Sequence, residues 1–133
     1  MGKFLLKIVT PDGPVFDGEA EGILARTDTG DVEIMRGHAD FFAPLGIGRA
    51  TLTVDGKKRS ASSAGGFISV RGGEVLMVAT TFEFADEIDL ARAKLAKENA
   101  EERIKNATNK RDIDLARAKL MRALNRINVA ELK

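Results

Sequence analysis

Two rhythms of apolar and polar positions divide this chain. Up to Phe84 the apolar residues come in short bursts, several of them alternating with polar ones: FLLKIV, EGILART, DVEIM, GRATLTV, KRSASS, GFISVR and EVLMVAT. A period of two sends successive side chains to opposite faces of a strand. Turn signals separate the bursts. Val54-Asp55-Gly56-Lys57 carries an Asp-Gly pair, which tolerates positive φ at a tight hairpin. Arg71-Gly72-Gly73-Glu74 offers the same, and Pro11-Asp12-Gly13 is a third turn. Regularly spaced short strands predict an antiparallel β-sandwich or barrel over residues 1–84. Phe4, Phe16, Phe41, Phe42 and Phe67 are its candidate core aromatics.

Beyond residue 85 the period lengthens to that of a helix. Asp86 or Asp89 is placed to cap or start a first helix, where carboxylates suit the positive end of the helix dipole. Residues 106–112, NATNKRD, form the expected break, and Asp112 and Asp114 open a second helix. So short a connection makes the two helices antiparallel neighbours. The expected class is α+β, a sandwich followed by a helix hairpin over residues 86–133.

The second helix carries a clean apolar stripe of Ile113, Ala116, Leu120, Ala123, Leu124, Ile127 and Ala130. The first offers two: Ile88, Ala91 and Leu95, or Leu90, Ala93, Ala96, Ala100, Ile104 and Ala107. Small residues let backbones approach but bury little area, so at about 25 cal/mol per Å² the seam is a weak lock. Such a hairpin can detach and repack for a few kcal/mol, which is what a switch requires. The octapeptide IDLARAKL stands in both helices, at residues 88–95 and 113–120. Periodicity explains the repeat as one structural need met twice, with acids at a helix start and Ile and Leu turned inward.

Composition sharpens the division. All 13 Gly, all 3 Pro and all 7 Phe lie before Ala85, and the rest is rich in the Ala, Leu, Lys, Arg and Glu that favour helices. Net charge is +1, so no global field draws nucleic acid or an anionic membrane. Within the helices charge is uneven: residues 86–105 sum to −1 and residues 111–133 to +3. Arg122 and Arg126, spaced i, i+4 on the side opposite the apolar stripe, read as a solvated face or as a clamp for phosphate or an acidic surface. The chain has no cysteine, one histidine, no Gly-Lys-Ser/Thr phosphate loop and no paired acid and base, which speaks against catalysis. No stretch approaches the roughly 20 apolar residues of a membrane helix.

VTPDGPVFDG, TGDVEIMRGHADFFAPL, GGFISVRGGEVLMVA and RALNRINVAELK stand in an order that resembles the ε subunits of bacterial F-type ATP synthases. The resemblance implies a non-catalytic rotor subunit that bridges the γ subunit and the c-ring. The subunit would be peripheral at the cytoplasmic face of the bacterial membrane, held there by the complex and not inserted in the bilayer. It implies that the helix hairpin regulates ATP hydrolysis, meeting the α and β catalytic subunits when extended. It also implies an ATP-binding motif, here Ile88-Asp89-Leu90-Ala91-Arg92-Ala93, with Glu83, Arg122 and Arg126 as further contacts. ATP, with or without magnesium, would be a regulatory ligand and not a cofactor. Asp89, Arg92 and Ala93 share a helix face. The carboxylate suits an adenine amino group or a ribose hydroxyl, Arg92 suits a phosphate, and Ala93 leaves room for a flat base. Asn99 stands where some nucleotide-binding relatives have Arg. The second octapeptide lacks the motif's position and is expected to bind nothing. Asp31 and His38 fall where the family meets γ and the ring, although Glu33 and Arg36 stand where it often has Gly and Pro. Read without the resemblance, Asp89 and Arg92 make a surface ion pair worth a few tenths of a kcal/mol. The hairpin is then an inert part of a structural rotor adaptor.

Overall fold

A computed structural model of the chain describes residues 2–132. Contacts divide it into two compact units, residues 1–84 and 85–133.

The first unit is the β-sandwich. Its strands are β1 (Phe4–Thr10), β2 (Gly13–Ala20), β3 (Gly22–Thr27), β4 (Gly30–Ile34), β5 (Phe41–Pro44), β6 (Ile47–Val54), β7 (Lys57–Arg71) and β8 (Glu74–Phe84). Hydrogen bonding runs β2-β1-β8-β7-β6-β3-β4, and β5 pairs with β7. All pairs are antiparallel except β1 with β8, so the sheet is mixed where the sequence reading expects an antiparallel one. Alternation selects the core. Phe4, Leu6 and Ile8 of β1 point inward, and Ile23, Ile34, Leu52, Ile68, Val70, Val75 and Met77 join them. The core is therefore chiefly aliphatic. Of the candidate aromatics only Phe4 is buried; Phe16 and Phe41 are partly buried, and Phe42 is 65% exposed. Two adjacent strand residues cannot both face inward, and at Phe41-Phe42 the second loses. Phe82 and Phe84, on β8, are the buried aromatics that pattern reading missed.

KRSASS and GFISVR, read as two strands, are one 15-residue strand, β7. Gly65 and Gly66 lie inside it at φ 72° and 92°. Before them Ala61 to Ala64 are buried in an unbroken run, and after them the strand alternates, with Ile68 and Val70 inward. A Cβ on Gly66 would drive into the carbonyl of Val78, so only glycine fits this close approach. The kinked strand pairs with β6 over one length and with β5 over the other. The Asp55-Gly56 hairpin forms as expected, both residues at positive φ.

The second unit opens with a 3₁₀ turn at Ala85–Glu87 and continues with α1 (Leu90–Asn106) and α2 (Lys110–Ala130). Asp89 is the N-cap of α1: its side chain accepts a hydrogen bond from the backbone N–H of Arg92 at 3.1 Å. The cap of α2 is Asn109, whose Oδ1 accepts from the N–H of Asp112 at 2.9 Å. The break is thus three residues, Ala107 to Asn109, and Asp112 sits in the first turn.

Of the two stripes open to α1, the alanine one is used. Ala93 and Ala100 are buried, as are Ala116, Ala123 and Ala130 of α2. Each set repeats every seven residues, the period that keeps one seam facing a partner helix. Ala91 and Leu95 are exposed instead, and so is Leu124.

Candidate functional site

Local structure treats the two octapeptides differently. In the first, Ile88 and Asp89 precede the helix, and the buried alanine is Ala93. In the second, Ile113 and Asp114 lie inside α2, and the buried alanine is Ala116, two places earlier in the repeat. Of the Ile and Leu expected to turn inward, Ile88 is buried and Ile113 and Leu120 are half-buried, whereas Leu95 is 56% exposed. Eight identical residues thus meet the seam in two phases. The physical reason is the starting point: one copy carries the cap, the other begins after a full turn of helix.

Asp89 and Arg92 do not form the expected ion pair. The Asp89 carboxylate takes the backbone N–H of Arg92, and both side chains are exposed. The carbonyl of Asp89 accepts the N–H of Ala93 at 3.0 Å, so the start of the motif is tightly ordered. Arg122 is exposed and Arg126 half-buried. Arg126 therefore flanks the seam and does not lie opposite it. Antiparallel packing on Ala93, Ala100, Ala116 and Ala123 fixes which flanks adjoin. Arg92 and Arg103 precede or follow the α1 seam alanines on the same side as Lys119, Arg122 and Arg126 of α2. One side of the hairpin is thus strongly basic, with Asp89 at its edge. Along the same side, at the turn end, Glu102, Arg103, Asn106, Ala107, Asp112, Leu115 and Ala116 line an open cleft of about 290 Å³. Glu83 belongs to the sandwich unit, on β8 opposite Ser62. Asn99 is exposed on α1.

The candidate partner residues of the sandwich are held locally. Asp31 lies directly across from Arg26 in the β3–β4 pair, and its Oδ1 accepts the Arg26 Nε at 2.6 Å. That hydrogen bond, and the carboxylate charge behind it, raise the guanidinium pKa above its ordinary value. The bare stem of Gly48 leaves room for the Arg26 side chain, which a Cβ there would strike. His38 follows Gly37, at φ 84°, in a turn closed by its N–H on the Met35 carbonyl at 3.2 Å. Its Nδ1 lies 2.7 Å from the Ala39 carbonyl and so carries the proton. Its ring meets Phe41 edge-on.

Sequence reading missed an apolar surface beside this turn. Phe42 stacks on Phe67 with centroids 5.4 Å apart, and Leu76 is exposed on the same face of the neighbouring strand. The signal was available in the alternation of β5, since an inward Phe41 forces Phe42 outward.

Comparison with known proteins bears directly on this two-part architecture. Residues 3–85 match the family described as "ATP synthase, Delta/Epsilon chain, beta-sandwich domain", and residues 86–131 match "ATP synthase, Delta/Epsilon chain, long alpha-helix domain". The chain belongs to the bacterial F-type ATP synthase epsilon chains. The ATP synthase epsilon chain of Bacillus velezensis is 42% identical over 125 residues, covering 94% of this chain and 95% of that one. That of Ruminococcus albus is 39% identical over 134 residues, with both chains wholly covered. A chain in the structure of the Euglena gracilis mitochondrial ATP synthase OSCP/F1/c-ring assembly superposes with TM-score 0.84 at 20% identity, over all of this chain and 83% of that one. That likeness extends the epsilon fold well beyond recognisable sequence. Among the described residues of this epsilon chain, no group of His, Asp and Glu is placed to hold a metal ion. No described helix is long and apolar enough to cross a membrane.

Proposed function

We propose that this epsilon chain is a non-catalytic rotor subunit of the central stalk, placed between the γ subunit and the c-ring, whose hairpin regulates hydrolysis. The observation that carries this reading is the contrast in how the two units are built. The sandwich is closed around large aliphatic side chains, whereas the hairpin meets along alanines. A unit packed through so little area changes partners for a few kcal/mol. Folded against the sandwich, the hairpin permits synthesis and hydrolysis. Extended, its basic side meets acidic surface on the α and β catalytic subunits and blocks hydrolytic rotation. Asp31 on β4 and the turn of His38, with the apolar face of Phe42, Phe67 and Leu76, support docking of γ and the ring.

ATP is the regulatory ligand of this reading. Asp89 and Arg92 at the start of α1, with Arg122 and Arg126 on the same side, supply one acceptor and three cations, a set suited to a nucleotide with its phosphates. Magnesium would arrive with those phosphates, since the described residues offer it no cluster of ligands. Ligand that binds only the folded form stabilises it by about 2.7 kcal/mol at a hundred times its Kd.

The decisive experiment uses the assembled complex. An epsilon chain ending at Phe84 should assemble and raise ATP hydrolysis severalfold while synthesis persists. Hydrolysis unchanged from wild type would leave the adaptor reading, in which the hairpin is inert. The capping role of Asp89 gives that second reading its footing, since a cap alone explains an acid at this position.

A further inference from the structure

The open end of the hairpin carries a second, separate packing device. Ala85, Ile88, Val129 and Ala130 form a small buried cluster, with Leu90 packed against it. Val129 is the telling member. It lies about 120° around the helix from Ala123, well off the alanine seam. Yet it is 1% exposed. The seam cannot bury it; the segment before α1 does. That segment is shaped for the purpose: the 3₁₀ turn at Ala85–Glu87 brings the Ile88 N–H to the Ala85 carbonyl at 3.4 Å and turns the chain back toward the end of α2. Ile88 is also the first letter of the motif, and Asp89, the α1 cap, follows it. Arg126 is one turn before Val129 and Ala130, on the same flank. The cluster therefore ties the chain segment that carries Asp89 and Arg92 to the helix turn that carries Arg126.

We infer that Ala85, Ile88, Val129 and Ala130 are a clasp that closes the open end of the hairpin, with Val129 a positioning residue for Arg126. The seam alone lets α1 and α2 slide or part. The clasp fixes their ends, gives the motif's leading Ile a packing role, and sets how readily the hairpin opens. The positioning half rests on the reading of this side as a nucleotide site; the clasp itself does not.

The full chain tests both halves. Val129→Ala should speed amide hydrogen exchange at Ile88, Glu131 and Leu132 about tenfold, the worth of two buried methyl groups. Exchange at the seam centre, near Ala100 and Ala116, should stay as in wild type. Alanine is the better helix former, so lost helix propensity cannot be the cause. Val129→Ile should restore slow exchange. Unchanged exchange at the three end amides, or equal acceleration along both helices, overturns the clasp. Calorimetry with ATP then tests positioning: Val129→Ala should weaken binding by about the factor seen in exchange. Wild-type affinity in a variant with a loosened end would refute it. Absence of binding by the wild type refutes the nucleotide reading, while the exchange comparison still decides the clasp.

Discussion

Asp89 shows how one residue can serve two demands. Its carboxylate caps α1 through the Arg92 N–H, and under the function we propose the same carboxylate also meets a nucleotide. Substitution separates the two. Asp89→Ala removes both functions and should destabilise the helical unit by about 1 kcal/mol, measured by urea unfolding followed at 222 nm. Asp89→Ser keeps a good cap, so stability should hold within a few tenths of a kcal/mol. If the nucleotide reading is right, calorimetry should find ATP binding lost in both variants. Binding retained by the serine variant makes Asp89 a cap and nothing more. Asp31 poses a similar question in the sandwich. Its charge is already matched by Arg26 across the β3–β4 pair, so a partner that meets Asp31 meets a neutral pair and not a lone carboxylate.

At the scale of the element, the repeated octapeptide is the instructive case. Sequence periodicity gave α1 two possible stripes, and the seam took the longer one, buried through its small residues Ala93 and Ala100. Close approach decides this: alanines at seven-residue spacing let the two backbones pack tightly, whereas Leu95 in the seam would hold them apart. The asymmetry is measurable with neighbouring alanines of one repeat. Ala93→Leu should overpack the seam and destabilise the helical unit by about 1–3 kcal/mol. Ala91→Leu, two residues away on the exposed face, should stay within about 0.5 kcal/mol of wild type. Equal effects in thermal unfolding would mean that the seam is not where the structure puts it. In the sandwich, the doubled glycine of β7 plays the corresponding part. It lets the strand approach Val78 closely and pair with β6 before the glycines and with β5 after them, along one edge.

At the scale of the whole molecule, the two units differ in what holds them. The sandwich has its own core and its own paired strands, so a chain ended at Phe84 should fold alone. Circular dichroism of that fragment should show a β spectrum and one cooperative unfolding transition; a fragment that is unfolded at 25 °C contradicts the division at Phe84. Much of this was written in the sequence. The break in glycine, proline and phenylalanine marks the change of architecture, Asp55-Gly56 marks its hairpin, and Asp89 marks a helix start, because each depends on local backbone preference or on period. Burial was less legible. Nothing local says that Phe42 faces out while Phe82 and Phe84 face in, that two predicted strands are one, or that β1 pairs in parallel with β8. Nor does it say that Val129, outside the stripe, is buried with Ile88. Those facts were decided by tertiary structure, since each turns on which distant segment arrives to remove a side chain from water, and a run of residues cannot encode its neighbours' arrival by its own period.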